Sequence, residues 1–358
     1  MSAEQLSLNN QLIIACRTGI IERIEKLLDD GANINGPNES GQTPLITAVQ
    51  NQRGRIVKYL LDRGADINIK HGVYKYSAID VATTAESVEV LVKAGANIES
   101  RFNGMTPLHN AVSSGKNIIV ETLLYAGANI EAVVNNNDPY YDGSTPLMIA
   151  VNDGDYDMCA LLISRSANVN YETPRRKTCL NIACKNGLYK IARLLIENGV
   201  NVNHKDIEGR TALMYACMYA DSKSYEDVIR LLIRKGADIN IRDSAGYDVF
   251  DYISSGTGIL RGEVKQFYRI GSSFRNEHMD EIIDLLINKI NSDVQAMEET
   301  LEKKGMEKLA ARTIAIEHFD PRSLSIQSEI REAHRNRKSK KGGKRKSKRS
   351  RTRRNKKR

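Results

Sequence analysis

The sequence predicts an all-α solenoid of helix–turn–helix units joined by β-hairpin-like loops, with a helical C-terminal extension and a disordered basic tail. Three observations predict it. First, Gly104–Glu131 reads as one complete unit. Thr106 suits a helix N-cap and Pro107 its first turn, where the missing N–H costs nothing. Leu108 and Ala111 share a face, Gly115 breaks the helix, and Ile118, Ile119, Leu123 and Leu124 give a second helix an apolar side. Gly127 suits a left-handed C-terminal cap. Second, the threonine recurs at Thr43, Thr145, Thr178 and Thr211, and the last two steps are 33 residues each. Third, the unit endings repeat: GANIN at Gly31–Asn35, GADIN at Gly64–Asn68 and Gly236–Asn240, GANIE at Gly95–Glu99 and Gly127–Glu131, GVNVN at Gly199–Asn203. One such unit cannot bury both apolar faces, so it needs copies on each side.

With TPLHNA at Thr106–Ala111, the 33-residue step and these endings, the chain resembles the ankyrin-repeat family over roughly residues 10–250. The resemblance implies about seven units within residues 1–246, followed by a degenerate last repeat or capping helices with an insertion at 247–304. A helical extension at 305–334 and a disordered basic tail at 335–358 complete the division. It also implies a concave face of hairpin tips and first helices that holds a protein partner.

Taken in order, residues 1–10 read as a frayed lead-in. Asn10-Gln11 stands where later units have Thr-Pro, and Glu22, Arg23, Glu25 and Lys26 mark a terminal cap meeting water. The Thr43 unit is regular. The next is the poorest match: Ser77-Ala78-Ile79-Asp80 replaces the signature, and 18 residues separate Ser77 from Gly95 where Thr43 to Gly64 has 21. Three residues are missing from its helix pair, which predicts a tight inner turn. Val133–Gly143 stretches the Thr106–Thr145 step to 39, and its Asn-Asp-Pro and Asp-Gly pairs predict an exposed loop. The Thr211 unit carries extra length, Asp221–Tyr225, between its helices. Asp248–Ile253 and Met279–Lys289 read as the helices of a last repeat interrupted by the irregular stretch 254–276. The same spacing runs on through Val294, Met297 and Leu301 to Gly305, and a further helix is predicted over Met306–Glu317. This region reads as a cap on the last repeat, or alternatively as a partner-binding coiled segment.

Composition narrows the class. No apolar run reaches the ~18 residues that cross a bilayer. MSAEQLSLNN has neither basic flank nor apolar stretch, so the chain is expected to be intracellular and not secreted. The Asn38-Glu39-Ser40 sequon then carries no meaning. Cys16, Cys184 and Cys217 each follow the repeat's alanine, a slot filled elsewhere by Val49, Val112 and Val151, and read as small buried side chains in a reducing compartment. The net charge of +9 hides two parts: residues 335–358 hold 16 Lys/Arg and no acid, leaving −7 on the remainder.

No catalytic constellation assembles, so no enzyme activity, cofactor or metal is expected. His109 occupies the signature's histidine slot and reads as structural. His278 with Glu281 makes no zinc motif, and Cys179 with Cys184 has no second pair. Gly256, Gly258 and Gly262 are mis-spaced for a phosphate loop, and no strand precedes them.

Two binding features remain. Loop tips normally carry small polar residues; here they carry Tyr74, Tyr76, Phe102, Tyr140, Tyr141 and Tyr171 with Arg101, Arg175 and Arg176. Tyr and Arg are the side chains that interfaces favour. These are the candidate contacts for an unidentified protein partner of a chain expected to be monomeric. The second feature is the tail, with Lys340, Lys341, Lys344, Arg345, Lys346, Lys348, Arg349, Arg351, Arg353 and Arg354. Without interleaved aromatics it can neutralise phosphates but not stack on bases. It reads as a nuclear or nucleolar address or a non-specific nucleic-acid contact.

Degenerate repeats, Asn- and Ile-rich wording and a Gly-Gly-Lys-Arg-Lys tail also resemble ankyrin proteins of large DNA viruses of protists. Poxvirus ankyrin proteins often end in an F-box-like segment, which implies as the alternative an adaptor delivering a bound protein to a ubiquitin ligase. Residues 306–330, with Leu309, Ile314, Ile316, Phe319, Pro321, Leu324 and Ile326, do not match that segment.

Overall fold

The computed structural model describes residues 2–70, 75–135, 143–220, 222–255, 277–304, 306 and 315. The described residues are helical apart from loops and isolated bridge residues, among them the pair Phe102 and Met105. Contacts divide the chain into two compact units, Met1–Ile182 with Glu197–Val200, and Ala183–Ile196 with Asn201–Arg358.

The first unit begins with α1 (Ala3–Thr18) and α2 (Ile21–Asp29). Residues 3–10 are therefore the first turns of a helix and not a frayed lead-in. Ser2 caps it by accepting from the Gln5 amide at 3.2 Å. Asn9 is fully buried, and its Oδ1 accepts the Asn33 amide of the following loop at 3.1 Å. The helix runs straight through Asn10-Gln11, where later units begin theirs, and Asn9 holds the following loop against it.

The next pair, α3 (Pro44–Gln50) and α4 (Gly54–Asp62), is the regular unit, with Thr43 accepting from the Ile46 amide. In the shortened unit the missing residues come out of the first helix, which is reduced to a 3-10 turn at Ile79–Val81 before α5 (Ala85–Lys93). Its start is nevertheless capped. Asp80 Oδ2 accepts from both the amide and the hydroxyl of Ser77, at 2.8 and 2.7 Å, and Oδ1 accepts from the Ser100 hydroxyl at 2.9 Å. The lost helical residues leave a cavity of about 130 Å³ against the next helix.

Then come α6 (Pro107–Ser113), α7 (Asn117–Tyr125), α8 (Pro146–Asp153) and α9 (Tyr156–Ser164). Within this unit α1, α3, the 3-10 turn, α6 and α8 stack in succession, and α4, α5 and α7 do the same. The α7 face differs in detail from the expectation. Ile119, Val120 and Leu123 are buried, Leu124 is half-buried, and Ile118 is 69% exposed.

Helix α10 (Cys179–Lys185) spans the division between the units. The second unit holds α11 (Tyr189–Glu197), α12 (Ala212–Met218), α13 (Lys223–Arg234), α14 (Val249–Ser255) and α15 (Glu277–Lys303). The extra residues of the Thr211 repeat do not all form a loop: α13 starts at Lys223 and runs 12 residues, against nine for α11. The added turn carries Glu226, which is fully buried and paired with Lys223 at 2.9 Å and Arg230 at 2.7 Å. The predicted last helix pair corresponds to α14 and α15; α12 packs on α14, and α15 packs on α13 and α14 through buried Ile282 and Leu286. The inserted stretch between them lies outside the described residues from 256 to 276, as do most of the predicted helix at 306–317 and the whole tail.

Candidate partner-binding surface

Each second helix of the first unit ends at a residue in the left-handed conformation: a glycine after α2, α4, α5 and α7 (Gly31 φ 93°, Gly64 φ 87°, Gly95 φ 88°, Gly127 φ 90°) and Ser166 (φ 70°) after α9, and the amides that follow bond back onto the last turn. The next asparagine or aspartate folds its side chain forward onto the amide two residues on: Asn33 to Asn35, Asp66 to Asn68, Asn97 to Glu99, Asn129 to Glu131, at 2.9–3.0 Å. The last residue of the ending then reaches into the following repeat. Asn35 accepts the Asp66 amide at 2.8 Å, and Glu99 and Glu131 accept those of Asn129 and Asn168 at 2.7 Å. In the second unit Asn203 does the same for Asp238 at 2.8 Å. This ladder explains the Gly-Ala-Asn-Ile-Asn wording: those side chains satisfy loop amides, and they set the loops at a fixed spacing.

On this base stand the hairpin tips. Asn103 and Gly104, at φ 51° and 76°, make a two-residue turn closed by reciprocal bonds of 3.0 Å between Phe102 and Met105. The turn holds Phe102 against Tyr76 of the preceding tip, with ring centroids 5.7 Å apart and the planes at 79°. Gln50 Nε2 donates to Tyr76 Oη at 3.4 Å. Both rings remain half-exposed. Arg101 is exposed but already engaged: one guanidinium nitrogen donates to the Gly104 and Val133 carbonyls at 2.8 and 2.7 Å. It ties one hairpin to the next.

The long insertion leaves from a paired neck, Val134 bonding Gly143 and Ser144 at 2.9 Å, while Asn135 donates to Gly104 at 3.0 Å. A Cβ at Gly143 would stand 2.4 Å from Pro174, so the neck lies directly on the following tip. That tip holds Tyr171, Arg175 and Arg176. Burial raises the pKa of Tyr171, and the Glu131 carboxylate raises it further. Arg176 pairs with Glu172 at 3.2 Å, and Arg175 has no ion pair among the described residues. Tyr74, Tyr140, Tyr141 and all ten tail residues from Lys340 to Arg354 lie outside the described residues. Of the sequence candidates, then, Tyr76 and Phe102 are brought together, Arg101 serves the scaffold, and Tyr171, Arg175 and Arg176 share a separate tip.

The structure adds a residue that the tip argument missed. Tyr125, the last residue of α7, is 94% exposed beside a groove lined by Val92, Thr122 and Ala126, with Glu121 paired to Arg165 at 2.8 Å on its edge. The signal was present: the other nine-residue second helices end in Asp29, Asp62, Lys93, Ser164 and Glu197.

Chemically active groups are withdrawn from this surface. His109 is fully buried, and its Nδ1 accepts the Thr106 amide at 3.1 Å. Burial pulls its pKa down to about 4; the Ala132 and Ser144 backbones oppose the shift without hydrogen-bonding Nε2. All five cysteines are buried and free, and burial pushes Cys16 and Cys159 up to about 12. No group of His, Cys, Asp and Glu that could hold a metal occurs among the described residues. No helix among them is long and apolar enough to cross a membrane.

In the second unit two tips are anchored by the same device. Tyr215 Oη donates to Asp206 at 2.6 Å and Tyr252 Oη to Asp243 at 2.5 Å, each nine residues back, and Arg210 donates to Tyr252 at 3.2 Å.

Comparison with known proteins gives a consistent result. The sequence model "Ankyrin repeats (3 copies)" matches residues 4–71, 128–206 and 147–243, and "Ankyrin repeat" matches 103–136. A putative ankyrin repeat protein of Fowlpox virus (strain NVSL) is 30% identical over 175 residues, 47% of this chain and 51% of that protein. The human transient receptor potential cation channel subfamily A member 1 is 31% identical over 173 residues, 45% of this chain and 15% of the channel. Human Rabankyrin-5 is 30% identical over 174 residues, 47% of this chain and 14% of that protein. The matched part of the chain thus spans about half the length of the viral relative and far less of the two human ones.

Proposed function

The chain belongs to the ankyrin-repeat family, a protein-interaction scaffold, and on that premise we propose that it binds a protein partner through the hairpin tips of its first unit. The observation that carries this reading is the Tyr76–Phe102 pair. Two aromatic rings from successive tips sit edge to face, half-exposed, on loops whose bases are held by the Asn/Asp ladder through the amides of Asp66, Asn68 and Glu99. Rigid aromatics lose little entropy on contact and dominate interface energy. Tyr171, Arg175 and Arg176 extend the same reading to the tip beside the insertion neck. Tyr74, Tyr140 and Tyr141 complete the set from the sequence.

The tail supplies a second contact in this reading. Its 16 positive charges without an acid or an aromatic suit phosphate, as a nuclear address or as sequence-indifferent attachment to nucleic acid.

Affinity capture from cells with the full chain, with and without nuclease, separates the two contacts. Partners that survive nuclease are then titrated against Phe102→Ser and Tyr76→Ser. Binding weakened about tenfold or more, roughly 1.4 kcal/mol, with an unchanged melting temperature supports the tips. Unchanged affinity in both variants would move the interface elsewhere.

A further inference from the structure

The hairpin tips of the first unit form one continuous row. Tyr76 packs on Phe102, the Arg101 guanidinium holds the Val133 carbonyl, and the Gly143 backbone lies against Pro174. Charge is sorted along this row. Its described residues include the cations Lys70, Lys75, Arg101, Arg175, Arg176 and Lys177, against the acids Glu39 and Glu172. The inserted loop at 136–142, outside the described residues, adds Asp138 and Asp142 to the sequence. The remainder of residues 1–182 holds 10 Lys/Arg and 16 Asp/Glu. The tips are thus a basic strip on an acidic body. Lys70, Lys75 and Arg175 are exposed and make no ion pair among the described residues.

We propose, on the reading above that the tips bind protein, that this row takes a short acidic segment of the partner. One bulky apolar side chain of that segment packs on the Tyr76–Phe102 pair while its carboxylates meet Lys70, Lys75 and Arg175. Complementary charge steers the segment onto the row and sets its register, and the rings supply the apolar contact. A cationic partner is disfavoured, because Lys75 and Arg101 directly precede the two rings. The chain's own tail, which has no acid, is excluded on the same ground. A nucleic acid fits less well. Bases stack on open ring faces, whereas these rings meet edge to face at 79° and each is half-covered. The acidic surround also repels an extended polyanion.

Fluorescein-labelled Asp-Glu-Leu-Phe-Glu-Asp is titrated into the full-length protein and read by anisotropy. Asp-Glu-Ser-Gly-Glu-Asp, of equal charge, measures what the basic tail alone captures, and Lys-Arg-Leu-Phe-Arg-Lys reverses the charge. The acidic Leu-Phe peptide should bind about tenfold more tightly than either. Phe102→Ser should erase its margin over the Ser-Gly peptide. Lys75→Glu combined with Arg175→Glu, both exposed and far from the tail in sequence, should weaken it about tenfold in protein that keeps its melting temperature. Equal binding of the Ser-Gly peptide, equal or tighter binding of the cationic one, or an affinity unmoved by the charge reversal would overturn the assignment. Oligothymidylate binding lost in Phe102→Ser would give the row to nucleic acid, and self-association lost in Lys75→Glu would give it to a second copy; either result also overturns it. A partner captured from cells that weakens with Phe102→Ser but not with the charge reversal would overturn the acidic segment alone and leave the tips as the protein contact.

Discussion

His109 makes stability depend on pH in a way that can be worked out from its surroundings. The side chain is fully buried, and its Nδ1 accepts the Thr106 amide, which holds the imidazole neutral with the proton on Nε2. A second proton would place two donors face to face and put a charge on a fully buried side chain. Its pKa is accordingly lowered from 6.5 to about 4, burial being the main cause. The unfolded chain therefore binds more protons than the folded one between those values, and stability rises with pH across that interval. The contribution is fully present above pH 6.5, declines as pH falls below it, and is exhausted near pH 4. From the size of the shift it amounts to about 3 kcal/mol. The control is suggested by the chain itself. Asn181 occupies the equivalent place two repeats later, and its Oδ1 accepts both the amide and the hydroxyl of Thr178, at 2.9 and 2.8 Å. His109→Asn should keep the cap and lose the titration. Urea unfolding of both proteins at half-unit steps from pH 7.5 to 4 gives the comparison. The difference between them should grow by about 3 kcal/mol over that range in favour of the variant at acid pH. A constant difference would refute the reasoning, since carboxylates common to both proteins cancel.

Three other outcomes follow from the packing and the charge. Leu123→Ala, at a site 1% exposed, should cost about 2–5 kcal/mol in denaturant unfolding, whereas Ile118→Ala, 69% exposed on the same helix, should stay within about 0.5 kcal/mol. Asp80→Ala should unpair the amide of Ser77 and the hydroxyl of Ser100, both nearly buried, at a cost of about 2 kcal/mol. Amide exchange should then speed up at residues 77–100 before the rest of the first unit, and uniform exchange would count against the Asp80 cap. Deleting Arg335–Arg358 should abolish sequence-indifferent binding to a labelled duplex. If about half of the 16 charges meet phosphates, the intact protein's log K should fall against log salt with a slope of roughly −7.

Sequence alone determined what depends on a few neighbouring residues. Threonine at an N-cap, proline in the first turn, glycine after the second helix and apolar residues on one face act within about ten positions of one another. Their period is therefore written directly in the chain, from Thr43 to Thr211. The helix pairs, the family and the buried cysteines of the alanine-following slot were legible for that reason. Only the tertiary structure decided what depends on a neighbouring repeat. Asn9, inside α1, accepts the amide of a loop 24 residues away. Glu99 and Glu131 look like surface acids, yet they accept amides 30 and 37 residues on. Asp80, in the poorest match to the signature, does the capping work of the histidine it replaces. Among nine tip residues, aromatic or arginine, the sequence could not separate Arg101, spent on two carbonyls, from Tyr76 and Phe102, which share one contact. The physical reason is the same throughout. A local pattern fixes which helices form, but a stacked repeat satisfies its loops and fills its core through the next copy, and insertions and one deletion change what that copy offers.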